Sequence, residues 1–150
     1  MIQRRTLLLS APLWAVVASA QAAVPNVEIF KDPNCGCCTD WVKHMNAHGF
    51  ATRVHDEGNN AARARAGIPK SLGSCHTAFV GGFAVEGHVP AADVQRLLKE
   101  RPTGVIGLAV PGMPIGSPGM DGAAYGGRRD AYDTLLVLAN GQTRVWQSHR

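Results

Sequence analysis

The sequence predicts an α/β domain, a mixed sheet with flanking helices, and three observations carry that prediction. A short β-patterned run, Val27-Glu28-Ile29-Phe30, leads straight into the turn Asp32-Pro33-Asn34-Cys35-Gly36-Cys37-Cys38-Thr39. A helical pattern follows, with Trp41, Val42 and Met45 spaced onto one face. Further along, two apolar runs flank Gly81-Gly82, and a second amphipathic pattern opens after Pro90. Strand, cysteine turn, helix, strand, helix, hairpin, helix is a thioredoxin-like order, with Cys35 and Cys38 as its C-x-x-C pair.

At 150 residues, with 45% hydrophobic and 17% charged side chains, the chain has the size and composition of one globular domain. Its formal charge of +4 is weakly placed. Setting aside Arg4 and Arg5 leaves 13 basic residues against 11 acidic ones, a net +2. No basic stripe with interleaved aromatics remains, which argues against nucleic acid as a partner.

Residues 1–22 read as a secretory signal. Arg4-Arg5 form its positive start, Thr6 to Ala18 its apolar stretch, and Ala18-Ser19-Ala20 and Ala20-Gln21-Ala22 offer small-residue cleavage sites. The Arg4-Arg5-Thr6-Leu7-Leu8 run also loosely resembles a twin-arginine signal. The competing reading, an uncleaved anchor, is disfavoured by those cleavage sites, by Pro12 and by the alanines of the segment. No cysteine stands just after the apolar stretch to carry a lipid. The expected mature domain, residues 23–150, is therefore periplasmic, without stable membrane insertion, in a compartment where thiols oxidise.

In order, the expected elements are a strand at Val27 to Phe30, a helix from Thr39 to His48 ended by Gly49, and a strand from Phe50 to His55. Thr39 or Asp40 would supply the acceptor in the helix's first turn. A short helix spans Ala61 to Ala66, and the hairpin is Thr77 to Val80 with Phe83 to Gly87. The helix after Pro90 buries Val94, Leu97 and Leu98. Residues 101–131 read as a long Gly/Pro-rich loop in which Pro111-Gly112-Met113 recurs as Pro118-Gly119-Met120. Residues 132–150 form a closing hairpin turned at Asn140-Gly141, which must pair with something in the domain.

Three of the four cysteines fall within four positions, and thiols so close form a disulfide, bind a metal or do redox chemistry. A helix N-terminus stabilises thiolate, which is both the nucleophile of disulfide exchange and a soft metal ligand. In this order of elements the turn before the third strand, Ser74-Cys75-His76-Thr77, packs against the C-x-x-C. That turn carries proline at about the position of His76 in the usual thioredoxin-like fold. A thiol and an imidazole there crowd a redox pair but suit a metal site. Four thiolates with an imidazole fit Cu(I) or Zn(II), and the thioethers of Met113 and Met120 favour copper. Zinc would be satisfied by Cys35, Cys38, Cys75 and His76, leaving Cys37 without a role. Bridging thiolates would let copper exceed one ion per chain.

Four stretches in order also resemble the CopG-type periplasmic proteins associated with bacterial copper resistance, many of them known only as a domain of unknown function. They are Cys35-Gly36-Cys37-Cys38, Ser74-Cys75-His76-Thr77-Ala78, Glu86-Gly87-His88-Val89-Pro90, and Gly107 to Pro114 with Gly116 to Met120. The resemblance runs from Val27 to the C-terminus. It implies a thioredoxin-like fold, copper bound through the cysteines and a role in copper redox handling, and its Glu-Gly-His stretch brings in His88.

The expected copper contacts are thus Cys35, Cys37, Cys38, Cys75, His76, His88, Met113 and Met120, with copper ions and other periplasmic copper-handling proteins as partners. Two other readings compete: a metal-free thiol–disulfide oxidoreductase with Cys35 attacking and Cys38 resolving, and a structural zinc domain. Whether the chain is an enzyme is left open by the residues. Blander roles are a structural disulfide for the cysteines, loop plugs for the methionines, core packing for Trp41 and a solvated pair for Arg128-Arg129. His44 and His48, four apart on one helical face, are either a metal pair or a solvated face.

Overall fold

In the computed structural model residues 25–150 are described; the expected signal segment, residues 1–22, lies outside them. Seven strands build one mixed sheet in the order β2-β1-β3-β4-β5-β6-β7. The first four are β1 (Asn26–Lys31), β2 (Ala51–His55), β3 (His76–Val80) and β4 (Phe83–Glu86). β1 pairs parallel with β2 and antiparallel with β3, and β3 pairs antiparallel with β4. With α1 (Gly36–Ala47), α2 (Asn60–Ala66) and α3 (Ala91–Glu100), these strands form the expected α/β, thioredoxin-like core.

The core gathers where periodicity places it. Val27 and Ile29 of β1, Trp41 and Met45 of α1, and Val94 and Leu97 of α3 are fully buried with Val85 and Leu108. Among the described residues, no helix is long and apolar enough to cross a membrane.

Two features depart most from the sequence reading. Helix α1 starts at Gly36, three residues before Thr39, so Cys37 and Cys38 belong to its first turn. Its N-cap is Cys35, which makes no side-chain capping bond; the Thr39 hydroxyl instead donates to the Cys35 carbonyl at 3.3 Å. Cysteine is a weak N-cap signal, so the Thr-Asp pair one turn later drew the boundary too far along.

The second difference is a strand inside the stretch read as loop. Val105–Ala109 forms β5, parallel to β4 and antiparallel to β6 (Tyr132–Leu138), which pairs in turn with β7 (Thr143–His149). Those five residues are a short apolar run, buried at Gly107, Leu108 and Ala109, and the prolines and glycines on both sides hid it. β5 is what the closing hairpin pairs with, so the hairpin extends the main sheet. The remainder of the loop, Val110 to Ala131, holds one 3₁₀ turn at Ala123–Tyr125 and lies back over the cysteine turn.

Gly107 makes this extension possible. It faces Ala84 across the β4–β5 ladder so closely that a Cβ there would collide with the Ala84 carbonyl. Gly107→Ala should lower unfolding stability by about 2 kcal/mol or more, read as a lower urea midpoint. An unchanged midpoint would mean that β5 does not pack as described.

Candidate metal centre

The first turn of α1 leaves its amides without side-chain acceptors and presents the positive end of the helix dipole to Cys37 and Cys38. Cys35 and Cys38 are joined as a disulfide with their Cα atoms 5.3 Å apart. Cys37 and Cys75 are free thiols. Cys37 Sγ lies 3.5 Å from Cys35 Sγ and 4.0 Å from Cys75 Sγ. Cys38 Sγ sits 3.6 Å from the Cys75 carbonyl, a packing contact, because a disulfide sulfur has no proton to give. The Sγ atoms of all four cysteines lie within 4.8 Å of one another.

A second cluster shares Cys75 with the first. His88 Nε2 is 3.0 Å and His76 Nδ1 3.4 Å from Cys75 Sγ. His88 Nδ1 lies 2.8 Å from the Pro118 carbonyl, which can only accept, so the ring carries its proton on Nδ1 and turns a bare Nε2 toward Cys75. His76 is fully buried, and its Nε2 has no hydrogen-bond partner. Its ring leans on Trp41 with centroids 4.4 Å apart. The Trp41 indole N–H donates to the Val89 carbonyl at 2.8 Å, which pins the His88-Val89 segment to α1.

Burial sets the protonation of these groups. It pushes the Cys75 thiol up to about 12, with Cys37 beside it adding to the effect. Burial likewise lowers both imidazoles, His76 well below the ordinary range, helped there by the charges of His88 and Lys31. At neutral pH the cluster therefore holds neutral imidazoles around a protonated thiol. A soft cation would displace that proton and find one nitrogen of each ring already unprotonated.

The two Pro-Gly-Met stretches take different positions. Gly119, at φ +86°, brings its backbone onto α1 so tightly that a Cβ would come 2.5 Å from the Cys37 carbonyl and 2.8 Å from the Trp41 amide. Met120 is buried, and its Sδ accepts a hydrogen bond from the Tyr125 hydroxyl at 3.2 Å. Met113 is 51% exposed and lines a cavity of about 440 Å³ with Arg63, Lys70, Gly73, Ser74, Cys75 and Gly112. The structure therefore joins all four cysteines with His76 and His88, sets Met113 at the rim, and engages Met120 with Tyr125.

The remaining histidines have structural partners. His44 Nε2 accepts from the Ala91 amide at 3.0 Å, satisfying a free N–H at the start of α3, and His48 Nδ1 sits 2.7 Å from the His44 carbonyl. His55 stacks on Phe30, and His149 pairs with Asp93 at 3.0 Å. Arg128 lies 3.7 Å from Asp130 at the surface, and Arg129 is exposed.

A family model described as a protein of unknown function, DUF411, matches residues 72–120, the half of the site from Cys75 to Met120. Two solved structures of copper resistance protein CopG match over far more of the chain. One, form 2, is 43% identical at a TM-score of 0.78, covering 85% of this chain and 100% of its own. The other, form 1, is 45% identical at 0.75, covering 83% and 96%. This chain belongs to the CopG-type copper resistance family. No curated protein matches it. Glu86 and Arg63, which hold the Cys75 turn, escaped the sequence reading; the only signal was that Glu86 opens the Glu-Gly-His stretch.

The raised thiol has a measurable consequence. In metal-free protein with the disulfide closed, Cys75 alkylation by iodoacetamide should rise about tenfold per pH unit from pH 8 to 10 without levelling. Peptide mass spectrometry reads the rate, and a plateau near pH 9 would contradict the burial described.

Proposed function

We propose that this CopG-type protein is an exported, periplasmic copper-binding protein that holds Cu(I) for copper resistance. Cys35, Cys37, Cys38 and Cys75 supply thiolates, His76 and His88 supply imidazole nitrogens, and Met113 and Met120 are thioether contacts from the overlying loop. The observation that carries the reading is the convergence of two imidazole nitrogens, His88 Nε2 and His76 Nδ1, and three further sulfurs on Cys75 Sγ. Thiolate with imidazole suits both Cu(I) and Zn(II). Copper is favoured because six thiolate and imidazole donors gather around Cys75, two more than a single four-coordinate zinc can use. The solved relatives, copper resistance proteins, point the same way.

The disulfide makes the site's capacity depend on its redox state. With Cys35–Cys38 closed, the thiolate donors left are Cys37 and Cys75, beside the two histidines. Opening the bridge takes two protons and two electrons, which two Cu(I) supply on becoming two Cu(II), and restores four thiols. Closing it returns two electrons, enough to reduce two Cu(II) to two Cu(I). That exchange is the copper redox activity we assign to the site. The signal segment supports export, and an oxidising compartment suits a bridge of this kind.

Loading tests the reading. The dithiothreitol-reduced domain, saturated with Cu(I) and desalted without oxygen, should retain more than one copper per chain. Disulfide-closed protein should retain fewer, and Cys75→Ser should lose at least one ion. A ratio of one or less in the reduced protein would contradict a bridged thiolate centre. A metal-free oxidoreductase would instead reduce insulin with robust turnover that survives Cys75→Ser; the copper account predicts that it does not.

A further inference from the structure

The Cys75 turn is gripped by a buried polar assembly that the copper chemistry itself does not use. Glu86, the last residue of β4, is fully buried, and Arg63 reaches it from α2 with Nε 2.7 Å from Oε1. Glu86 Oε1 also accepts the Ser74 amide at 2.7 Å, and Oε2 accepts the Thr77 hydroxyl at 2.6 Å. Arg63 Nη2 donates to the Ser74 carbonyl at 2.6 Å, and Asn59 Nδ2 reaches the same carbonyl and Thr77 Oγ1 at 3.2 Å each. The peptide groups on both sides of Ser74 are thus held by one guanidinium–carboxylate pair. The Ser74 hydroxyl donates to the Gly112 carbonyl, and the Gly112 amide donates to the Gly73 carbonyl at 3.2 Å, so the segment bearing Met113 hangs from the same turn.

We propose that Arg63 and Glu86 are positioning residues of the metal centre: their clamp on Ser74 sets Cys75 Sγ against Cys37 and His88 and sets Met113 at the rim. The inference rests on the copper reading for its purpose and on the hydrogen bonds alone for its mechanism. A fork is needed because Ser74 O and Glu86 Oε1 must be reached at once. The planar guanidinium has donors for both, whereas a lysine ammonium is a single point at the end of a flexible stem. Removing one partner alone strands a buried charge and threatens the fold, so the pair must also be neutralised together.

The test compares wild type, Arg63→Lys and the double variant Arg63→Met/Glu86→Gln, each as the full exported chain with the disulfide closed and metal removed. The first readout is the alkylation rate of Cys75 relative to Cys37 by peptide mass spectrometry. The second, after reduction, is Cu(I) affinity by competition with a chromophoric chelator. Both variants should raise the Cys75:Cys37 rate ratio at least fivefold and weaken Cu(I) binding about tenfold or more, the scale on which outer partners act on metal ligands. A lower melting temperature with the rate ratio and affinity at wild-type values would overturn the proposal and leave the clamp merely structural. Weaker copper binding with an unchanged rate ratio would overturn it too, because the clamp would not be acting through Cys75. If wild type binds no Cu(I) while the rate ratio still shifts, the clamp stands and the copper reading fails.

Discussion

The Ser74-Cys75 turn meets the open end of α1, and at that contact a free thiol comes within 4.0 Å of Cys37 and 3.0 Å of an imidazole nitrogen. Each partner is fixed by a different part of the fold. The helix brings three sulfurs on its N-cap and first turn, the turn before β3 brings Cys75, β3 itself brings His76, and the segment after β4 brings His88. The 118–120 segment closes over them and fixes the His88 proton through the Pro118 carbonyl. Cys75 Sγ is the atom that the sulfur cluster and the imidazole cluster share.

Burial explains why this contact suits a soft cation better than disulfide exchange alone. Removing Cys75 from water disfavours its thiolate and so slows it as a nucleophile in the metal-free protein. The same burial keeps His76 and His88 neutral, with their lone pairs available. An exchange catalyst needs its low thiol pKa within the redox pair; on the copper reading proposed above, a cation entering this cluster would replace the Cys75 proton. Only the Cys35–Cys38 pair keeps the features of an exchange catalyst, at the head of a helix.

Much of this was legible in the residues. The thioredoxin-like order followed from alternating periods of two and 3.6 with Gly and Pro at the joins, and the Cys75-His76 turn could be set beside the cysteines from that order alone. The motif resemblance supplied His88, and the solved CopG structures bear out the family. What stayed hidden depended on contacts distant in sequence. β5 was masked by flanking prolines and glycines, because its five residues form a short continuous apolar run without the alternation that marks a half-buried strand. The Arg63–Glu86 clamp joins residues 23 positions apart, and nothing local distinguishes them from surface charges. His44 had the spacing of a metal pair with His48, yet its nitrogen is used by the first amide of α3.

Metal content decides whether copper is the metal this centre takes. Protein purified without chelator or reducing agent from cells grown with copper should, by elemental analysis, carry copper in excess over zinc. Removal of Cys75 and Cys37 together should abolish that copper. Zinc at one ion per chain, or protein free of both metals with the same thiols oxidised, would contradict the account.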